Sequence, residues 1–210
     1  MLVAFDFDGT LSDSEMTVLL GDQIGVAEQM AAITERSMND EIDYAESLYR
    51  RCALLEGMAD ATAQAAFDQV VLRPGAGEVL AALQSAGVYT AILTGGFDRG
   101  VERALAAEDA TVDTVVANRL PVVDDELTGE VEGPLIEGTK DDALEVLAST
   151  VGVPLAETVA VGDGANDLPM LEAAGLAIGF EPKPAVEPAC DVVVSTMDEL
   201  LEVLAVEGVL

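Results

Sequence analysis

Short apolar runs and amphipathic segments alternate along most of this chain. The first run, Leu2 to Phe5, predicts a buried strand. The predicted strands after it cover residues 88–93, 112–117, 158–161, 176–178 and 192–194, and the predicted helices cover residues 78–86, 97–107, 139–151, 166–174 and 198–206. Residues 122–131, with the turn sequence DDELTGE, predict a hairpin. Strands that alternate with helices predict a Rossmann-like, three-layer α/β core with a mostly parallel sheet.

Between the first strand and this alternating region, the pattern is helical only. The positions that recur at helical spacing are Val26, Met30 and Ile33, then Tyr44, Leu48, Arg51 and Leu55, and then residues 61–70. Asn39 and Asp40 separate the first two patterns and can cap the second helix. We therefore expect a core of residues 1–11 and 73–210, with a small helical cap of residues 12–72 inserted after the first strand.

The charge balance is extreme, with 40 acidic residues against 9 basic ones and a formal net charge of −31. Because such a chain repels other polyanions, we expect neither nucleic acid nor an anionic membrane surface among its partners. The acidic residues are scattered through a sequence that is 50% apolar, which predicts a folded protein with an acidic surface rather than a disordered chain. Adaptation to molar salt explains this surface better than the alternative, an acidic protein of ordinary salinity.

The apolar runs and the cysteines indicate the cellular compartment of the protein. No apolar run reaches the roughly 18 residues that span a bilayer, and no basic region precedes Leu2, so we expect neither a membrane anchor nor a signal peptide. The two cysteines, Cys52 and Cys190, lie far apart and suggest neither a disulfide framework nor a metal cluster. A reducing cytoplasm fits this cysteine usage best.

Two aspartates, Asp6 and Asp8, follow the first predicted strand, and Gly9 and Thr10 then turn the chain. Carboxylates two residues apart on an extended chain point to the same side, where their like charges repel. A bound cation or a chemical task would offset that repulsion. The alternative is a strand cap followed by an Asx-turn, without any chemistry.

More polar groups follow predicted strands or begin a predicted helix. They are Thr94, Lys140, Asp163, Asn166 and Asp167. Because the carboxyl ends of parallel strands meet at one edge of a sheet, we expect these groups to converge with Asp6 and Asp8. The acids could share a divalent cation such as Mg²⁺. An ammonium, a hydroxyl and the free backbone N–H groups of Gly95 and Gly96 would suit a phosphate.

Four motifs in this order resemble those of the haloacid dehalogenase superfamily of phosphotransferases. They are DFDGT at residues 6–10, ILTGG at residues 92–96, Lys140, and GDGANDLPM at residues 162–170. The resemblance covers nearly the whole chain, and the helical insert stands at the position of the family's small cap. It implies Mg²⁺-dependent phosphoryl transfer through an aspartyl-phosphate.

The resemblance also implies roles for the residues at the sheet edge. Asp6 would be the nucleophile and a metal ligand. Asp8 would be the general acid–base, with its backbone carbonyl on the metal. Lys140, Thr94 and Gly95 would neutralise charge on the phosphoryl oxygens. For Lys140 the alternative is a solvated surface charge.

The fourth motif carries the remaining polar groups. The resemblance makes Asp163 the second metal carboxylate, with a plain Asp-Gly turn as the alternative, and makes Asp167 the holder of a metal-bound water. Asn166 would anchor the loop and the phosphate, or act as a helix N-cap. For Lys183 we expect a solvated surface position without chemistry.

Within the superfamily, the helical cap resembles that of the phosphoserine phosphatases. Glu15 matches the acidic residue of that group that binds the substrate amino group, and Arg51 matches the arginine that binds the substrate carboxylate. Arg50 is the competing candidate for the second role. Arg51 lies seven residues after Tyr44 and three after Leu48, so it shares their helix face, whereas Arg50 points elsewhere.

Two further cap residues, Met38 and Tyr44, stand where that group has apolar residues closing over the site, although both could simply belong to the cap core. One residue departs from the group's pattern, because Thr94 stands where phosphoserine phosphatases usually carry Ser. Thr occurs at this position across the superfamily, so the departure weakens the substrate assignment slightly and leaves the catalytic assignment intact.

The sequence therefore predicts a Mg²⁺-dependent phosphatase that hydrolyses O-phosphoserine, the last step of phosphorylated serine biosynthesis, as a monomer or homodimer. One alternative is a phosphatase or phosphotransferase of the same chemistry that acts on another small ester, such as a sugar phosphate or phosphoglycolate. Another is a catalytically silent binding protein on the same scaffold. The complete set of Asp6, Asp8, Lys140 and Asp163 argues against the silent protein.

The acidic surface predicts salt-dependent stability. At about 1 M salt the screening length falls to about 3 Å, so the repulsion among surface carboxylates is quenched. We expect the thermal unfolding midpoint to fall when the protein is transferred from molar KCl to dilute buffer, as measured by circular dichroism. An unchanged midpoint would contradict this adaptation.

Overall fold

The computed structural model describes residues 1–38, 41–137 and 139–210. Its strands are β1 (Leu2–Phe5), β2 (Tyr89–Phe97), β3 (Thr114–Asn118), β4 (Val122–Val123), β5 (Glu126–Leu127), β6 (Thr158–Gly162), β7 (Leu176–Phe180) and β8 (Val192–Val194). Its helices are α1 (Met16–Ile24), α2 (Ala27–Met38), α3 (Tyr44–Ala53), α4 (Asp60–Phe67), α5 (Ala76–Ser85), α6 (Asp98–Ala107), α7 (Lys140–Val151), α8 (Leu168–Ala173) and α9 (Met197–Val206). None of the helices in these described ranges combines the length and apolar character that a membrane span requires.

Six parallel strands form one sheet in the order β3-β2-β1-β6-β7-β8. Strand β1 lies inside the sheet and pairs with β2 on one side and β6 on the other. Its residues are fully buried, which is why an uninterrupted apolar run encodes it. The strand order reverses beside β1, and open α/β sheets bind ligands at such a point, outside the carboxyl ends of the strands.

Alternate residues of β1 face opposite layers of helices. Val3 and Phe5 belong to the larger apolar cluster, to which α5, α6 and α9 contribute. Leu2 and Ala4 belong to a second cluster, which α7 and α8 complete from the other face. This arrangement confirms the predicted three-layer α/β core.

One departure from the predicted bounds concerns β2. The pattern predicts that this strand ends at Leu93, but it continues to Phe97. Its pairing with β3 shifts register between these two residues. The segment Thr94-Gly95-Gly96 is therefore an irregular continuation of the strand rather than a turn that follows it.

In the part of the chain that the structure describes, the segment between β1 and α5 holds four helices, one more than the pattern predicts. The additional helix is α1, in which Met16, Leu20 and Ile24 recur every four residues and Met16 and Leu20 are buried. Helix α3 is capped by Asp43, whose carboxylate accepts a hydrogen bond from the Glu46 N–H at 2.7 Å. The predicted capping pair, Asn39 and Asp40, lies outside the described residues.

The two connections between the sheet and this helical segment run side by side. Ser12 forms an antiparallel bridge with Leu72, and its hydroxyl donates to the Val71 carbonyl at 2.7 Å. The Arg73 N–H donates to the Leu11 carbonyl at 2.8 Å. The chain thus enters and leaves the helical segment at one point, just after Asp6 and Asp8.

The predicted hairpin is present but shorter than expected. Strands β4 and β5 pair antiparallel, and Asp124 and Asp125 form the turn with positive φ of 50° and 64°. A turn with two successive residues in the left-handed backbone conformation has a twist that matches the twist of the two flanking strands, so it suits a two-residue hairpin. The hairpin contacts the helical segment, because Glu126 bridges Ala59 just before α4.

Candidate active site

The first acid of the site continues the central strand. The Asp6 N–H donates to the Val161 carbonyl at 2.9 Å, which extends the pairing of β1 with β6 by one residue. Gly9, at φ 93°, then turns the chain. A Cβ at Gly9 would lie 2.6 Å from Asp163 Oδ2, so only glycine allows the loop after β6 to approach this closely.

Lys140 connects two of the acids. As the first residue of α7, it donates from Nζ to Asp6 Oδ1 and to Asp167 Oδ1, each at 2.5 Å. All three side chains are almost completely buried. Burial alone would lower the pKa of Lys140, but the carboxylates of Asp167 and Asp6 outweigh it and raise that pKa above its usual range. The ammonium is therefore held charged in the interior.

Asp167 also holds the loop that carries Asp163. Its Oδ2 accepts hydrogen bonds from the Asp163 and Gly164 N–H groups, both at 2.9 Å. One carboxylate thereby fixes both the ammonium of Lys140 and the turn after β6. This contact explains why an acidic residue follows the turn four positions after Asp163.

Asp163 faces a second lysine. Lys183 Nζ lies 3.0 Å from Asp163 Oδ2, and its side chain is half exposed. Burial raises the pKa of Asp163, and the hydrogen bond and charge of Lys183 oppose the shift. The expectation that Lys183 is only a solvated surface residue is therefore incomplete, since it contacts an acid of the site.

Three acids could hold a cation. Carboxylate oxygens of Asp6, Asp163 and Asp167 lie within 4.8 Å of one another. Asp8 Oδ1 is buried and has no hydrogen-bond partner among the described residues. Hard oxygen donors of this kind suit Mg²⁺, and its charge would offset the repulsion within the cluster. The donor set therefore fits a divalent cation.

The two aspartates of the first motif titrate differently. Burial raises the pKa of Asp6 to about 7, with Asp167 adding to the shift and Lys140 opposing it. Burial raises the pKa of Asp8 further above its usual range, and Glu15 and Asp6 add to that shift. A cation in the cluster would lower the pKa of Asp6 and keep it ionised. The raised pKa of Asp8 favours its protonated form.

The phosphate side of the predicted site contains Thr94, Gly95 and Gly96. Thr94 is buried, and its Oγ1 accepts a hydrogen bond from the Gly96 N–H at 2.9 Å. The prediction that the Gly96 N–H is free for a ligand is therefore wrong, because the bulged continuation of β2 folds it back onto Thr94. The bond fixes the orientation of the hydroxyl.

The two arginines of α3 differ in their surroundings. Arg50 pairs with Glu46 one turn away, on the solvent side. Arg51 donates from Nη1 to Thr17 Oγ1 at 3.3 Å and from Nε to the Ser47 carbonyl at 3.4 Å, so it faces the start of α1. Every other arginine and lysine has a carboxylate within 4.0 Å. In a chain with 40 acids, Arg51 is the basic residue for which the described residues offer no such partner.

Glu15 lies near the Arg51 contact, immediately before α1 and two residues before Thr17. Burial raises the pKa of its carboxyl, Lys183 and Arg51 oppose the shift, and Asp163 adds to it. Glu15 therefore lies within electrostatic range of both Asp163 and the guanidinium of Arg51.

A cavity of about 440 Å³ opens between the helical segment and the sheet edge. Tyr44, Gly95, Lys140 and Asn166 line it.

Asn166 is exposed within a 3-10 turn, and the residue that caps α8 is Asp167. The alternative that Asn166 acts only as the helix N-cap is therefore wrong. The side chain of Met38 lies outside the described residues.

Comparison with known proteins identifies the family. The family model described as haloacid dehalogenase-like hydrolase matches residues 3–172. The chain belongs to the haloacid dehalogenase-like hydrolase family. The resemblance inferred from the four sequence motifs is thereby confirmed.

Within this family, the chain is similar to phosphoserine phosphatases. A phosphoserine phosphatase of Halobacterium salinarum is 53% identical over 208 residues, which cover 99% of each chain. The chain is also similar to two solved structures. One is a phospho-aspartyl intermediate analogue of phosphoserine phosphatase, 35% identical, and the other is a substrate-bound phosphoserine phosphatase complex, 34% identical. Each has a TM-score of 0.88, and each match covers 96% of this chain and 97% of the other. The source of the first relative is consistent with a surface adapted to molar salt.

One polar residue of this haloacid dehalogenase-like hydrolase escaped the sequence analysis. Asn118, fully buried at the end of β3, donates from its amide to the Gly95 carbonyl at 3.0 Å and to the Leu135 carbonyl at 3.2 Å. Its Oδ1 accepts from the Leu135 N–H at 3.1 Å. It therefore ties the phosphate side of the site to the segment that leads to Lys140. Its position at the carboxyl end of a predicted strand, like that of Thr94, is the signal that could have found it.

Asn118→Asp should destabilise the protein by about 2 kcal/mol or more, because the new oxygen faces two carbonyl oxygens in the interior. We expect kcat/KM for phosphate esters to fall as well, since Gly95 and the segment before Lys140 lose their common anchor. Denaturant unfolding in molar KCl measures the first effect. The exposed Gln23→Glu makes the same change of charge and should shift stability by less than about 0.5 kcal/mol. Equal changes in the free energy of unfolding for the two variants would contradict the role of Asn118 as an anchor.

Proposed function

We propose that this chain hydrolyses O-phosphoserine to serine and inorganic phosphate in the presence of Mg²⁺, through an aspartyl-phosphate on Asp6. The observation that carries the substrate assignment is Arg51, which contacts Thr17 two residues after Glu15 and has no carboxylate partner among the described residues, while the other basic side chains all have one. The similarity to phosphoserine phosphatases along the whole chain supports the same substrate.

In the first half of the reaction, a carboxylate oxygen of Asp6 attacks phosphorus as the bond from phosphorus to the serine oxygen breaks. Lys140 holds Asp6 Oδ1 by a hydrogen bond and so fixes the direction of the carboxylate. Asp8 gives its proton to the departing serine oxygen. Its raised pKa supports this role, because burial favours the protonated form of the carboxyl group.

In the second half, Asp8 takes a proton from a water molecule, whose oxygen attacks phosphorus. The bond from phosphorus to Asp6 breaks, inorganic phosphate leaves, and Asp8 is again protonated. The same residue therefore serves as acid and then as base, and both aspartates return to their starting states.

Preorganised positive groups supply the electrostatic stabilisation. Lys140, the Thr94 hydroxyl and the Gly95 N–H would face the phosphoryl oxygens. The carboxylates of Asp6 and Asp163 and the Asp8 carbonyl would hold Mg²⁺, with Asp167 beside them. When bound, Mg²⁺ supplies positive charge against the phosphoryl oxygens.

We also propose that residues 12–72 form a cap that covers the substrate, with Glu15 binding the ammonium group and Arg51 the carboxylate. The adjacent entry and exit of this segment, at Ser12 and Leu72, support its movement as one unit. The free thiols of Cys52 and Cys190 support a reducing compartment, which we propose is the cytoplasm.

Asp6→Asn should lower turnover of O-phosphoserine by about a thousandfold or more, because an amide cannot form the aspartyl-phosphate. The substitution is nearly isosteric, so circular dichroism should show a folded protein. Phosphate release in Mg²⁺ and molar KCl measures the effect. Asp124→Asn at the exposed hairpin turn makes the same chemical change and should keep full activity. A variant at position 6 that retains most activity would end the assignment of the nucleophile.

Arg51→Ala should lower kcat/KM for O-phosphoserine by about 100-fold, since it removes a charged hydrogen-bond donor from the substrate carboxylate. An aryl phosphate lacks that carboxylate and should lose less than about threefold. Arg50→Ala is the matched control, because Arg50 pairs with Glu46 on the solvent side. Equal losses on both substrates in Arg51→Ala would remove this residue from substrate recognition.

A further inference from the structure

The phenol of Tyr44 reaches across the cavity to the phosphate side of the site. Tyr44 is the first residue of α3, which Asp43 caps. A Cβ built on Gly95 would lie 1.9 Å from the Tyr44 hydroxyl oxygen and 3.1 Å from its Cζ. The hydroxyl therefore touches the backbone of Gly95, and a larger residue at that position would collide with it.

The orientation of the ring is the reverse of what packing alone would favour. The Tyr44 side chain is 38% exposed, yet its hydroxyl end points inward. A tyrosine used only for its apolar surface buries the ring and leaves the hydroxyl in water. Here the polar tip lies in the site, and the ring lines the cavity.

Charged groups of the site surround this hydroxyl. Burial raises its pKa, Lys140 and Arg51 oppose the shift, and Asp6 and Asp8 add to it. At neutral pH the phenol therefore keeps its proton and acts as a donor.

We propose that the Tyr44 hydroxyl donates a hydrogen bond to a non-bridging oxygen of the phosphoryl group, both in the substrate and in the aspartyl-phosphate. This inference rests on the proposed function, because it takes Thr94 and Gly95 as the phosphate side. Tyr44 is then a phosphoryl-binding residue supplied by the helical segment. Its hydroxyl acts on the part that all phosphate esters share, whereas Arg51 acts on the amino acid part.

Tyr44→Phe removes the oxygen and keeps the ring, so it isolates this contact. In the Mg²⁺-loaded protein in molar KCl, we expect inorganic phosphate to bind about tenfold more weakly by calorimetry and to inhibit about tenfold more weakly. The kcat/KM values for O-phosphoserine and for an aryl phosphate should fall by the same factor, so that their ratio stays constant. Tyr49→Phe, on the same helix and 44% exposed, should change none of these values.

Unchanged phosphate binding in Tyr44→Phe would overturn the proposal. A loss confined to O-phosphoserine would also overturn it, because the hydroxyl would then bind the amino acid part. A different result would contradict the proposed function. In that case the unsubstituted protein would show no preference for O-phosphoserine over the aryl phosphate. The phosphate measurement still decides the role of Tyr44 in that case.

Discussion

The structure around the site depends on one buried ammonium shared by two carboxylates. Lys140 contacts Asp6 and Asp167, and with them it joins the start of α7, the end of β1 and the loop after β6. Removing three charges from water is unfavourable unless each finds a partner, and two acids with one lysine leave an excess of negative charge. That excess makes the centre of the sheet edge a place for a further cation. The extreme acidity of the surface is a separate property, because those carboxylates remain in solvent.

The scarcity of basic residues gives their positions unusual meaning. With 9 basic residues among 40 acids, an acidic partner is available almost anywhere on the surface. Side chains such as Arg36, Arg103 and Arg119 take one, and such exposed pairs contribute little to stability. Arg51, for which the part of the chain that the structure describes offers no carboxylate within 4.0 Å, is therefore informative. In a chain of ordinary composition, the same observation would carry far less weight.

The sequence was sufficient for the layered α/β core because hydrophobic periodicity reports burial directly. The convergence of Asp6, Lys140 and Asp163 followed from the rule that parallel strands end at one edge. What escaped prediction depends on contacts between segments distant in sequence. Asn118 binds Gly95 and Leu135 across two loops, and the Gly96 N–H is taken by Thr94 because β2 continues past its apolar run. Helix α1 could have been predicted, because Met16, Leu20 and Ile24 recur at helical spacing.

The adjacent connections at Ser12 and Leu72 have a consequence for how such a chain can change over time. The two ends of the helical segment contact each other at Ser12 and Leu72. The chain of the sheet domain is therefore joined at this point, whatever residues lie between the two ends. A short turn or a different folded unit could join the same two points without disturbing β1 or its neighbours. The acids that follow β1 would stay in place under each such exchange. The acidic sheet edge and the helical segment can therefore evolve as separate modules within one continuous chain.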